Sequence, residues 1–210
     1  MRRAVFSVSL VATAVAAVML AASAAGAAPT LRCDSSKKLK SGKYSKIIVP
    51  AGETCNGTKA TIRVTGNVKV ESGATFVLGN EENAGGGKID GSVKAKDAAS
   101  VQLHFAKVGG SVAIEGGTGF FSTVEDNVIR GGAHITGYQG FWLGFIRNQV
   151  GGSVRLNNNI MDDPDANEYV SNTIGGNLVC IGDSPAPQVG DSGGSPNVVS
   201  GQKIGQCAGL

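Results

Sequence analysis

The chain has 210 residues, 32 of them glycine, with 5% aromatic residues and a formal net charge of +3. Two of its 19 basic residues, Arg2 and Arg3, sit in an N-terminal leader, and without them 17 basic residues face 16 acidic ones, which excludes the basic balance of a nucleic-acid partner. Four cysteines with no Cys-x-x-Cys pair, and two histidines far from them (His104 and His134), speak against a zinc site and leave no cofactor to expect.

The leader comes first. Arg2 and Arg3 are followed by the uncharged, mostly apolar run Ala4–Leu20, and Ala25-Gly26-Ala27 fits a small-residue cleavage site. The reading is a signal peptide over residues 1–27. The apolar run falls short of a comfortable membrane span of about 20 residues, so no span is expected after cleavage. Arg32 directly before Cys33 does not fit a lipidation site. The expected location is secreted or extracellular, with wall association open.

Residues 28–60 read as a lead-in and cap. Cys33–Lys46 is polar and rich in Lys and Ser, and Lys46-Ile47-Ile48-Val49 is a short strand stopped by Pro50 and the turn Ala51-Gly52-Glu53. From Thr61 on, strands and turns alternate: Thr61-Ile62-Arg63-Val64, Asn67-Val68-Lys69-Val70 and Thr75-Phe76-Val77-Leu78 have period two. Glu81–Gly87 reads as a loop. No mature window shows helical periodicity with start and stop signals.

Over residues 61–180 a glycine signature returns. The clearest copies are Gly109-Gly110-Ser111-Val112, Gly151-Gly152-Ser153-Val154 and Gly175-Gly176-Asn177-Leu178. Taking Gly66, Gly91, Gly110, Gly132, Gly152, Gly176 and Gly201 as equivalent, the steps run from 19 to 25 residues. Such a period, built from strand-like pieces, means coils stacked along one axis. The segment Gly119–Asn127 lies over Gly140–Asn148 without gaps, at an offset of 21. Asn127, Asn148, Asn172 and Asn197 then recur at one corner, where asparagine tolerates left-handed backbone and can bond its equivalent one rung away. The expected fold is all-β: a right-handed parallel β-helix of six to seven rungs, each with about three short strands. Residues 181–210 read as a C-terminal cap. Pairing Cys33 with Cys55 and Cys180 with Cys207 suits a stack whose two ends are far apart.

Charge is uneven along the chain. Seven basic residues lie between Arg32 and Lys59 against Asp34 and Glu53, while Asp162–Asp191 holds six acidic residues and no Lys or Arg. These are either two solvated ends or a basic end that touches an anionic surface polymer. Asp126 should face Arg147 one rung on as a single ion pair, so no catalytic residues are assigned. His104 and His134 read as isolated surface or rim residues. The run Asp162-Asp163-Pro164-Asp165 is a loop, with calcium binding there open and no metal site assigned. The aromatics are the best candidates for binding. Phe120 should stack on Phe141 and Phe121 on Trp142, and one of these columns should be exposed. Phe121, Tyr138 and Trp142 are the expected binding residues, for a glycan or a surface protein.

The run Asn172–Cys180 (Asn-Thr-Ile-Gly-Gly-Asn-Leu-Val-Cys), then Pro185-Ala186-Pro187, then Gly201–Cys207, resembles a group of secreted, uncharacterised actinobacterial proteins with a Gly-Gly-Asn-Leu-x-Cys run and a final cysteine. The resemblance covers about the last 40 residues well and the repeats loosely. It implies export, a disulfide and a β-solenoid, and brings no activity. The function expected is a non-catalytic secreted binding or structural protein, with a small carbohydrate-active enzyme as the alternative.

Overall fold

The computed structural model describes residues 28–36, 38–82, 85–190 and 193–210. The leader expected over residues 1–27 lies outside them, as do Lys37 and Asp191 of the two charged stretches. The chain is a parallel β-solenoid of three sheets, with nine, eight and seven strands. On each turn it passes from the nine-stranded to the seven-stranded to the eight-stranded sheet and back, as in Val112–Glu115, Thr118–Glu125, Val128–Ile129 and Ala133–Thr136. Every pairing joins a strand to its equivalent one rung away, in parallel.

The alternation in the sequence becomes an inside and an outside. Thr61–Val64 and Val112–Glu115 bury every second residue. One inward column of the nine-stranded sheet runs Ile47, Val68, Val93, Val112, Ala133, Val154, Leu178, all with no exposed surface. Each fully buried Val, Leu or Ile side chain contributes roughly 1.5–3 kcal/mol. Glycine is needed where rungs pass closely: a Cβ on Gly87, whose φ is +140°, would run into the backbone oxygen of Ile62 one rung below.

The sheets hold about eight rungs, against the six to seven expected. The glycine signature undercounts because the first strands of the stack lack it. Thr30–Arg32 and Lys46–Val49 already stack in the nine-stranded sheet, and Lys203–Gly205 closes it. Both disulfides form as expected, Cys33–Cys55 and Cys180–Cys207. The loop expected over Glu81–Gly87 ends sooner, because Gly86–Ile89 is a strand paired with Thr61–Val64.

The asparagine series forms a ladder. The Nδ2 of Asn127 donates to Oδ1 of Asn148, Asn148 to Asn172 and Asn172 to Asn197, at 3.0, 3.0 and 2.8 Å. Each backbone N–H donates to the same oxygen, and each Nδ2 also reaches a backbone carbonyl, those of Leu103, Val124 and Phe145. The amides are buried and saturated. The left-handed backbone, however, belongs to the residues before the first three: Asp126, Arg147 and Ser171 take φ of +52° to +59°. That turn aims the following amide inward.

Candidate functional site

The outer face of the seven-stranded sheet carries the aromatics. Gly119 registers with Gly140 and Phe121 with Trp142, as the 21-residue offset requires. The rings of Phe120 and Phe141 are stacked nearly parallel with centroids 4.7 Å apart, and those of Phe121 and Trp142 are stacked with centroids 4.8 Å apart. Period two alone does not say which pair faces out. Tyr138 and Leu143 both point inward although five residues apart, so the strand bends between them. Phe120 and Phe141 stand on the outside of that bend and are 74% and 39% exposed. Phe121 and Trp142 are half-buried. The Trp142 ring lies over Gly144, where any Cβ would collide with it.

Tyr138 is not part of this surface. It is fully buried, and its hydroxyl donates to the Ala99 carbonyl at 2.7 Å. An acceptor inside the core lets the whole ring go in, which corrects the expectation of a binding role.

Beside the rings lies a polar cluster larger than the expected ion pair. Arg147 grips Asp126 with two bonds, Nε to Oδ1 at 2.9 Å and a second guanidinium nitrogen to Oδ2 at 3.0 Å. The same nitrogen also bonds Glu125. His104 registers with Glu125, and its Nδ1 is 3.6 Å from Glu125 Oε2. His104 is buried, not a surface or rim residue, and Nδ1 has no hydrogen-bond partner among the described residues. Burial pushes the Glu125 carboxyl above its usual range, more than Arg147 lowers it, and burial pulls the His104 imidazole down. Both effects favour the uncharged forms. The signal for this contact is in the chain: 104 and 125 differ by the same 21 as 126 and 147. A cleft of about 260 Å³ opens here, lined by Val77, Glu81, Gln102, His104 and Phe121 among others.

The remaining candidates are quieter. His134 is exposed on the nine-stranded sheet, between Ala113 and Arg155. In the acidic loop the Asp165 N–H donates to Asp163 Oδ1 at 3.0 Å, a turn-type bond. Among the described residues no group of three or more His, Cys, Asp or Glu is placed to hold a metal. No described helix is long and apolar enough to cross a membrane.

A second ladder escapes the sequence reading. Asn159 Oδ1 accepts the Tyr138 N–H at 3.1 Å, and Asp183 Oδ1 accepts the Asn159 N–H at 2.8 Å. Asp183 thus stands where the ladder has asparagine one rung before. Burial pushes its carboxyl up to about 7, against the hydrogen bonds from Asn159.

The chain matches no family model, no curated protein and no solved structure. The reading of function therefore rests on the site's own chemistry.

Proposed function

We propose that the protein is a secreted, non-catalytic β-solenoid that acts at or outside the cell surface and binds a glycan through the outer face of the seven-stranded sheet. The observation that carries this is the doubled aromatic stack. Four rings occupy two adjacent rungs, and the most exposed of them, Phe120, is held flat against Phe141. Flat aromatic faces suit the apolar faces of sugar rings, and an exposed apolar patch beside a polar cleft is the usual form of a binding surface. The leader-like start of the sequence, the two disulfides and the resemblance of the C-terminal run to secreted actinobacterial proteins support export.

A glycan and cell-wall pulldown with the mature chain tests this, alongside Phe120→Ala/Phe141→Ala and Trp142→Ala. Binding should be lost in the double variant and weakened in the Trp142 variant. If the unaltered chain retains nothing, the glycan reading fails. If all three bind alike, the rings are not the site.

One observation favours a carbohydrate-active enzyme as the second reading. A buried carboxyl with a raised pKa, Glu125, stands by an uncharged His104 near the cleft. A carboxyl raised above its usual range is what cleavage of a glycosidic bond asks of its general acid. Asp126, the adjacent carboxylate, is gripped by Arg147, which leaves Glu81, on the lining of the same cleft, as the partner this reading would need. Release of reducing ends from a bound polysaccharide, abolished by Glu125→Gln, would promote this reading over the first. No release from any polymer the chain binds would remove it.

A further inference from the structure

The two faces that meet at the glycine corner carry a different pattern. On the outward column of the eight-stranded sheet, Lys43, Arg63, Lys88 and Lys107 stand in register on four consecutive rungs. All four are exposed. The same column continues as Val128, Gln149, Thr173 and Val198, without a charge. Neighbouring strands are about 4.7–4.9 Å apart, so a positive charge recurs at roughly that interval along the axis. Like charges directly opposite each other destabilise a sheet. Four in a row conflict with the fold's own stability. Only Asp90 answers them with an ion pair among the described residues, 3.0 Å from Arg63 and 2.9 Å from Lys88.

Across the corner the pattern repeats. The outer face of the nine-stranded sheet has a trough of about 390 Å³, lined by Lys46, Lys69, Lys94 and Lys96, with Ala113 and Glu115 beyond them. Lys69 registers with Lys94, and Lys94 with Ala113, whose short side chain leaves the trough open. Glu71 holds Lys69 at 2.9 Å. No ion pair involves Lys43, Lys46, Lys94, Lys96 or Lys107 among the described residues. On these two faces the eight named cations face three carboxylates, Glu71, Asp90 and Glu115.

We propose that these two faces bind a linear polyanion laid along the solenoid axis, a polysaccharide that carries one carboxylate per sugar. A charge on every rung calls for a ligand with a charge on every short unit. All but one of the cations are lysine, a flexible and strongly hydrated point charge that suits exposed carboxylates. Lysine meets phosphate as a point charge too, so polyphosphate is the comparator that separates the two anions. No aromatic side chain lines the trough, so stacked nucleic-acid bases would find no platform there. This surface is separate from the aromatic strip, and each can fail without the other.

The test is binding of the mature chain to sodium polygalacturonate by isothermal titration calorimetry, at low and at physiological salt. The fully methyl-esterified polymer and long-chain polyphosphate serve as comparators. Polygalacturonate should bind, more weakly as salt rises, and the esterified polymer should not. Lys43→Gln/Arg63→Gln/Lys88→Gln/Lys107→Gln should weaken binding by about tenfold or more, since each cation releases counterions on contact. Lys94→Gln/Lys96→Gln, which breaks no ion pair, should weaken it less but measurably. A control with the same loss of charge elsewhere, Lys38→Gln/Lys40→Gln/Lys59→Gln/Lys203→Gln, should bind as the unaltered chain does. The proposal is overturned by no binding at low salt, by equal losses in the ladder and control variants, or by tighter binding to polyphosphate than to polygalacturonate.

Discussion

Two corners of the solenoid use the same device with different success. At the corner between the seven- and eight-stranded sheets, Asn127, Asn148 and Asn172 each hand one amide hydrogen to the next rung and one to a carbonyl below, and Asn197 ends the ladder on the Tyr169 carbonyl. At the corner between the nine- and seven-stranded sheets, Asn159 does the same toward Ile135 O, but Asp183 ends the series. A carboxylate in that place has an oxygen where the amide has its donor. Asp183 Oδ2 is buried with no hydrogen-bond partner among the described residues. The ladder geometry therefore demands a donor at both corners, and a carboxyl meets the demand only while it holds a proton.

Moving the chemistry between the corners tests that statement. The largest effect is expected for Asn148→Asp, which takes a donor from the middle of the saturated ladder. It removes the bonds to Val124 O and Asn172 Oδ1 and buries an acid among acceptors. Urea denaturation at neutral pH should show a loss of about 3–5 kcal/mol, by the cost of unsatisfied and charged buried groups. A loss below about 1 kcal/mol would mean that the amides are ornamental.

The reverse change, Asp183→Asn, comes next. The folded carboxyl titrates near 7, above its ordinary 3.8, so its proton stabilises the fold fully below about pH 4. That contribution is lost as pH rises to about 7, a difference on the order of 4 kcal/mol at 1.36 kcal/mol per unit. The Asn variant should flatten this part of the pH–stability curve and gain most at pH 8. An unchanged slope would sink the assignment to Asp183.

Tyr138→Phe should cost about 1–2 kcal/mol, because the Ala99 carbonyl loses its buried donor. Glycan binding should survive, since the ring is no part of the surface. The smallest stability effect belongs to Phe120→Ser. At 74% exposure its unfolding midpoint should stay within about 0.5 kcal/mol of the unaltered chain while glycan retention falls. A clear loss of stability would assign the stacked pair to packing.

The saturated corner was legible in the sequence and the other was not. Asn127 to Asn197 repeat one residue type beside a glycine pair, so spacing alone exposes them. Asn159 lies within the run Asn157-Asn158-Asn159, and its partner is an aspartate, so neither type nor spacing marks the second ladder. The Phe and Trp stacking followed from the 21-residue offset. Which rings face out did not, because the bend between Tyr138 and Leu143 breaks period two. The Asp126–Arg147 pair was visible as opposite charges one step apart. The His104–Glu125 contact has the same step, but two residues drawn inward by burial look like ordinary surface polars in a sequence. The rung count failed at the N-terminal end, where Thr30–Arg32 and Lys46–Val49 stack without the glycine corner.

Parallel pairing of each strand with its equivalent one turn away has a consequence for the length of the molecule. Removing residues 128–148 would join Asn127 to Gln149 and let it take the place Asn148 holds beneath Asn172. All sheets would shorten by one strand and no inward column would change face. Whole rungs can thus be lost or gained while every surviving strand still finds a parallel partner in its own sheet. The extent of the outer faces, aromatic or cationic, is then set by counting turns, independently of what makes a turn stable.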